Sequence, residues 1–392
     1  MKYFFVPALF AFACFSACVY EPEQYQEESS GKGDASVVSD IGTVYAIDGG
    51  KQICNPSITQ DTANYPASML WLNFSGTLNV VAKDSLYKTK GARDHDRLTI
   101  TNKDNEVLWY LIVDDSLKEC EFQDPEWSTH PDYLVALRGY DLDGKASCDN
   151  MDYGIFAVRT SDKKRFWFVD KGLWEWGSPH LWVNPSAQGD TAAADTTVEG
   201  FFGTSDVRLV YVDSKNEIVF VDFAKGGLKK KTVLKKSEEM KDWKVDSPMI
   251  SPDGNFIVFN VLDGGWKSFI QKLSGDSYPV KIERTSDMIG EAMQPHWFTY
   301  GERLFVTWTE FPDGIQELVN KNDLSDPSVQ DGSAGRTAMR EIVLDGDAPM
   351  DLSLRWVGSV SQIAPLPMIG GRSKDGKYLA TGVNYGFMLE LP

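Results

Sequence analysis

The stretch Ser247-Pro248-Met249-Ile250-Ser251-Pro252-Asp253-Gly254, running into Asn255-Phe256-Ile257-Val258-Phe259-Asn260, decides the fold. Asp253 and Gly254 supply turn chemistry, and the β-branched and aromatic residues behind them supply strand preference, so a tight turn delivers a strand. Related patterns lie downstream. Gln294-Pro295-His296-Trp297 leads through Gly301 to Arg303–Thr309, and Ser373-Lys374-Asp375-Gly376 leads to Lys377–Ala380. Upstream, Pro66–Phe74 with Gly76 and Leu78–Ala82 reads as a weaker copy, and Pro179–Trp182 repeats the proline-to-tryptophan half.

Each of these strands predicts a partner. Val207–Val212, the turn Asp213–Asn216 and Glu217–Phe223 form one hairpin, and Phe256–Leu262 with Phe269–Leu273 forms another. Indexed by the first central aliphatic residue, the strand after each turn falls at Leu78, Leu134, Leu209, Ile257, Leu304 and Leu379, with gaps of 56, 75, 48, 47 and 75 residues. Loop-like Asn184–Thr197 and Lys321–Arg336 lie in the two largest gaps. The shorter gaps match the period of about 40 to 50 residues typical of propeller blades. A small sheet cannot bury both faces alone, so such units stack around a ring that must close. The strand pattern ends at Phe387–Leu391 one outer strand short, and Thr43–Ile47 is expected to supply it.

Ser-Pro-Asp-Gly followed by a polar residue, an aromatic and aliphatics resembles the blade signature of TolB-like β-propellers, at Asp246–Phe259, Gln294–Thr309 and Gly371–Thr381. The resemblance implies an all-β propeller of six blades, with seven as the alternative count, and protein interaction in the cell envelope. The extra N-terminal domain of the Tol-Pal propeller is not present in the pattern.

Residues 1–17 carry Lys2, an apolar stretch from Tyr3 to Phe15, then Ser16 and Ala17 before Cys18, a signal-peptide layout. The small residues before Cys18 resemble the bacterial lipobox, with Phe15 where an aliphatic is usual, which implies acylation of Cys18; ordinary cleavage after Ala13 or Ala17 is the alternative. Lipidation would anchor the chain to the membrane. Val19 stands where an inner-membrane retention signal would place Asp, so the resemblance implies the outer membrane, on either face. Residues 18–40, with Glu21, Glu23, Glu27 and Glu28, read as an acidic flexible tether, and residues 41–392 as the propeller.

The chain is 42% hydrophobic and 12% aromatic, enough for a large core. Its net charge of −18 excludes a phosphate-backbone partner, and the basic run Lys229, Lys230, Lys231, Lys235 and Lys236 reads as a solvated loop. Cys54, Cys120 and Cys148 have no zinc-knuckle spacing; an oxidising compartment predicts one disulfide and one free thiol among them, Cys120 and Cys148 being nearest in sequence but no pairing being decided.

The nucleophile elbow, Walker loop, His-Glu-x-x-His helix and dinucleotide fingerprint are all absent. His180 and His296 each follow a proline and shortly precede a tryptophan, and His130 precedes Pro131 at a comparable point. On innermost strands they would face a central channel, where three imidazoles with the neighbouring Gln294 would suit a metal or an anionic sugar. The competing reading is packing between sheets. Trp174 and Trp176, beside Gly172 and Gly177, are candidate ligand-stacking residues at a propeller mouth. Asp141, Asp143, Gly144, Ser147 and Asp149 loosely resemble a calcium loop but lack its third early ligand and terminal Glu, so a hairpin turn is expected.

These features point to a monomeric cell-envelope lipoprotein, without cofactor, acting as a non-enzymatic binding module for a protein or a glycan. A carbohydrate-active lyase or hydrolase using the channel histidines and a metal is the alternative.

Overall fold

The computed structural model describes residues 36–39, 42–50, 53–74, 78–89, 93–143, 148–173, 175, 177–184, 186, 196–224, 229–232, 240, 242–263, 266–273, 278–282, 292–300, 302–310, 336–345, 348–358, 369–381 and 386–391. Cys18, Trp174 and Trp176 lie outside them, as does the expected signal peptide.

The chain is all-β, built from antiparallel sheets taken in sequence order. Strands β1 (Ser36–Ser39) and β2 (Gly42–Ala46) are followed by a sheet of β3 (Ile53–Ile58), β4 (Ser68–Asn73), β5 (Arg97–Asn102) and β6 (Val107–Ile112). Next come β7 (Glu119–Trp127), β8 (Tyr133–Asp141), β9 (Met151–Arg159) and β10 (Arg165–Leu173). A third sheet holds β11 (His180–Val183), β12 (Val207–Val212), β13 (Ile218–Asp222) and β14 (Lys229–Thr232). The fourth holds β15 (Lys244–Ile250), β16 (Phe256–Leu262), β17 (Trp266–Lys272) and β18 (Val280–Lys281). The fifth holds β19 (Ala292–Tyr300), β20 (Arg303–Glu310), β21 (Arg336–Asp345) and β22 (Ala348–Gly358). The last contains β23 (Ile369–Arg372), β24 (Tyr378–Thr381) and β25 (Phe387–Glu390), and β2 pairs with β25, Val44 opposite Leu389. Thr43–Ala46 thus lies where the outer strand was missing, and β1 extends the sheet from within the span expected to be tether.

The first strands of the sheets touch in succession, β3 to β7 to β11 to β15 to β19 to β23 and back to β3. Apolar cores fill the spaces between consecutive sheets: Leu70, Leu98 and Ile100 meet Phe122, Leu134 and Phe156, while Val135, Leu137 and Ile155 meet Leu181, Val183 and Leu209. Burial on both faces explains the near-continuous apolar runs of the middle strands. This is why the first sheet was misread. Met69–Leu72 is wholly buried and shows no alternation, so the second strand is β4, whereas Leu78–Ala82 forms only an isolated bridge from Val81 to Glu106.

The turn motif repeats at atomic level. In Ser251–Gly254 the Gly254 N–H donates to the Ser251 carbonyl at 2.8 Å and the Phe256 N–H to Ser251 Oγ at 2.9 Å. Ser373 makes the same pair with Gly376, at 2.8 Å, and Tyr378, at 2.9 Å. Gly254 and Gly376 have φ of +78° and +76°, a conformation that favours glycine.

A second repeat interrupts the first strands. Asn55, Asp124, Ser178 and Ser247 each precede a proline and each have positive φ, of 46°, 46°, 38° and 48°. Ladder irregularities fall at three of these positions, and Gln294-Pro295 sits in a matching one between Met293 and His296. Such bulges re-aim side chains.

The basic run is not all loop: Lys229–Thr232 is strand β14, paired through its backbone with β13 on one side. Lysines on an outer strand deter edge-to-edge association. Asp141 and Asp143 lie at the turn between β8 and β9, where the Asp143 N–H donates to Asp141 Oδ1 at 2.9 Å, as a hairpin turn requires. The described disulfide joins Cys120 to Cys148.

Candidate functional site

The proline bulges place one residue from each first strand in the same register: Ser57, Glu126, His180, Met249 and His296, each directly after a proline, with Arg372 in the corresponding place on β23. Four of these, Glu126, His180, Met249 and His296, line a cavity of about 240 Å³ together with Trp297 and Lys374. Gly371 also borders it, and a Cβ there would stand 3.1 Å from His296 Cδ2, so the missing side chain leaves room for the imidazole.

The floor is polar. Glu126 Oε1 accepts the Ser57 hydroxyl, and Ser57 Oγ accepts the Trp127 N–H at 3.1 Å. Glu126 Oε2 faces His296 Nε2 at 3.9 Å, too far for a hydrogen bond. The Ile250 N–H donates to His180 Nδ1 at 3.1 Å, which leaves the His180 proton on Nε2. Burial, aided by His296, pushes the His180 pKa down to about 3, so this imidazole is neutral. A carboxylate, two imidazoles and the rim ammonium of Lys374 can therefore offer both acceptors and donors to one polar ligand.

The bulge also builds a buried chain below this floor. Asn55 Nδ2 donates to Asp124 Oδ1 at 2.9 Å, and the Ser178 N–H donates to Asp124 Oδ2 at 3.0 Å. Ser178 Oγ lies 3.3 Å from Asp124 Oδ2 and 3.0 Å from Asp246 Oδ1. A hydroxyl has one proton, so at any instant Ser178 Oγ donates to only one of the two carboxyl groups. Burial, then Asp246, push the Asp124 pKa up to about 7, and burial raises that of Asp246.

The structure brings His180 and His296 together at one cavity, but not His130. His130 sits in the turn after β7, not on an innermost strand. Its Nδ1 accepts the Asp132 N–H at 3.2 Å, and its ring packs 5.2 Å from Tyr133. The proline follows His130 instead of preceding it, so the bulge register passes it by; the equivalent residue in Asp124-Pro125-Glu126-Trp127 is Glu126. Aligning prolines instead of histidines would have found Glu126. Gln294 lies in the bulge of β19, and its side chain is outside the described residues. Among the described residues no cluster of three or more His, Cys, Asp or Glu has metal-holding geometry.

No protein-family model and no curated protein matches the chain. Among solved structures it is similar to the β-propeller domain of Cps50 (Swd1) from Myceliophteria thermophila, with 10% identity and a TM-score of 0.41 over 86% of this chain and 81% of that one. It is also similar to TolB from Acinetobacter baumannii, with 13% identity, a TM-score of 0.34, and coverage of 66% of this chain and 52% of TolB. Hydrazine synthase from Kuenenia stuttgartiensis has 14% identity and a TM-score of 0.37, over 90% of this chain and 77% of that one. The architecture itself rests on the chain's own sheet order and on the contacts among its first strands.

Proposed function

We propose that this chain is a six-bladed β-propeller, closed by its N-terminal strand, that serves as a non-enzymatic binding module of the bacterial cell envelope. Acylation at Cys18 would hold it at the outer membrane, residues from 18 onward would space it from the bilayer, and its axial mouth would engage an envelope protein or a glycan. The succession of first-strand contacts and the pairing of β2 with β25 support the closed six-blade reading. Binding is carried by one observation: the side chains that follow the bulge prolines on four different sheets converge on one cavity, Glu126, His180, Met249 and His296.

Convergence from separate sheets is how folds of this kind assemble a ligand site on rigid strands. The histidine-and-metal lyase reading has less support, because His130 stands outside the cavity and His180 Nδ1 already accepts a backbone N–H. The test compares the full chain with a His296→Ala variant on a glycan array and in photo-cross-linking to envelope proteins. A ligand or partner retained by the full chain and lost by the variant supports the site; equal retention overturns it. Incorporation of labelled palmitate, abolished in Cys18→Ala, tests the anchor separately.

A further inference from the structure

We propose that the axial cavity receives a pyranose ring of a glycan, one oxygen of which accepts the Nε2–H of His180. This rests on the binding reading above and names the chemistry of the ligand.

His180 carries an open donor. Its Nδ1 is taken by the Ile250 N–H at 3.1 Å, which fixes the ring proton on Nε2. Nε2–H meets no acceptor among the described residues, although His180 is only 8% exposed. Buried polar groups in native proteins are nearly always paired, so a donor left open on a residue that lines a cavity marks where a ligand atom accepts. Burial keeps this imidazole neutral, and it therefore donates without bringing a charge. Its strand is held firmly just before it: Ser178 has the positive φ of the bulge, and its N–H is bonded to Asp124 at 3.0 Å.

The chemistry of that donor selects among ligands. An ammonium or guanidinium has no lone pair to offer Nε2–H. A carboxylate has one, but it would set a second anion beside Glu126 in the same enclosed space, where like charges disfavour each other. A hydroxyl accepts from His180 and keeps its own proton to donate, and the Glu126 carboxylate is an acceptor in the same cavity.

The walls fit hydroxyls carried on an apolar ring. Trp297 donates its Nε1–H to the Met249 carbonyl at 2.9 Å, so what it offers a ligand is indole carbon surface, and the Met249 side chain adds more. Such surface suits the C–H face of a pyranose. The half-buried Thr299 and the exposed Lys374 also line the cavity and can meet further hydroxyls. A volume of about 240 Å³ admits a sugar ring and excludes a folded domain, so a glycan enters by a terminal residue.

The experiment titrates methyl glycosides into the full chain in zwitterionic detergent, with calorimetry for affinity and the Met249 methyl resonance for location. The probes are the methyl glycosides of glucose, galactose, N-acetylglucosamine and glucuronic acid, with the Nα-acetyl methylamides of lysine and glutamate as non-sugar ligands. At least one glycoside should shift Met249, and the glucuronide set against the other three tells an acidic glycan from a neutral one. His180→Asn keeps an acceptor for the Ile250 N–H and removes Nε2–H, so it should bind that glycoside about tenfold more weakly, the worth of one hydrogen bond. His180→Gln returns an N–H near the Nε2 position and should bind more tightly than His180→Asn. A glycoside bound equally well by folded His180→Asn overturns the Nε2 contact. If only the lysine or glutamate probe shifts Met249, the sugar is overturned while the binding reading stands. If no probe shifts Met249 in a folded chain, both are overturned.

Discussion

Tyr45 in β2 donates its hydroxyl to Glu390 Oε2 in β25 at 2.6 Å, joining residues 345 apart in the sequence. Tyr378 donates to the other oxygen of the same carboxylate at 2.9 Å, and Lys103 from the neighbouring sheet stands 3.5 Å from it. One side chain thus ties β2, β24 and β25 to each other and to the first sheet. The same face of the sheet carries Ala380 and Met388, which pack against the first sheet, whereas Val44, Leu379 and Leu389 on the other face form a small buried core of their own.

Removing the Tyr45 hydroxyl tests this clasp. Tyr45→Phe should lower stability by about 1 kcal/mol at neutral pH, the usual net value of a hydrogen bond. The Tyr45 hydrogen bond holds Glu390 below the usual carboxylate range. A depressed folded-state pKa contributes stability above the unfolded value of about 4.3 and loses it as the pH falls through the lower folded one. The penalty of Tyr45→Phe should therefore shrink in acid. Urea midpoints at pH 7 and pH 3.5 measure it; a penalty unchanged between the two would separate Tyr45 from the charge on Glu390.

Asp124 predicts the opposite dependence. Its folded pKa of about 7 is raised above the unfolded value of about 3.9, so the folded state holds a proton that the unfolded state has released. Stability from this group is complete below the unfolded value and falls as pH rises through the folded one, by up to about 1.4 kcal/mol per pH unit within that window. Asp124→Asn has no charge to bury. Relative to the unmodified chain, it should melt higher at pH 8 than at pH 5, whatever its fixed cost from altered hydrogen bonding to Asn55 and Ser178. Melting curves at the two pH values decide, and a difference that does not move with pH would place the shared proton elsewhere.

How much of this could be read from the residues depends on whether the signal was local. Ser251–Gly254 and Ser373–Gly376 were legible because a turn depends on the hydroxyl, carboxylate and glycine that form it. The pairing of Thr43–Ala46 with β25 was legible because the repeat pattern left the last sheet one strand short. Strand β4 was missed since burial on both faces erases the alternation that marks a strand. Glu126 was missed for a different reason. The candidates were selected by residue type, histidine, whereas the feature shared by the residues that line the cavity is the bulge at each proline. That register places Glu126 in line with His180 and His296 and leaves His130 in a turn.

Composition neither counted nor paired the disulfides: beside the Cys120–Cys148 bridge, Cys54 is disulfide-bonded too and is not the expected free thiol. Cys120 and Cys148 close a segment with a sequence separation of 28, tying the end of the β8–β9 hairpin to the first strand of its sheet. Chain-entropy arguments give about 3 to 4 kcal/mol for a closed loop of that size. The double replacement Cys120→Ala/Cys148→Ala should lower stability by an amount in that range, and reduction of the unmodified chain, which also opens the disulfide of Cys54, should lower it by at least as much. Guanidinium unfolding with and without reductant gives the comparison. A variant as stable as the oxidised chain would mean that neighbouring packing, not the crosslink, holds this corner.

Two glycines separate backbone strain from crowding. Gly172 and Gly254 both have positive φ, +92° and +78°, so alanine pays the left-handed penalty at each, about 1 kcal/mol. A Cβ on Gly172 would meet nothing within 4 Å, while one on Gly254 would lie 2.3 Å from Arg208 Nη1 and 2.8 Å from Trp182 Cε2. Neither neighbour is free to leave. Trp182 donates its Nε1–H to the Pro252 carbonyl at 2.8 Å, Arg208 stacks 4.5 Å over the indole, and Arg208 also donates to the Gly254 carbonyl. Gly172→Ala should therefore cost only about 1 kcal/mol, whereas Gly254→Ala should add the ~1–3 kcal/mol of an overpacked core. Equal penalties in chemical unfolding would show that the turn, and not its packing against the preceding sheet, sets the need for glycine in this motif.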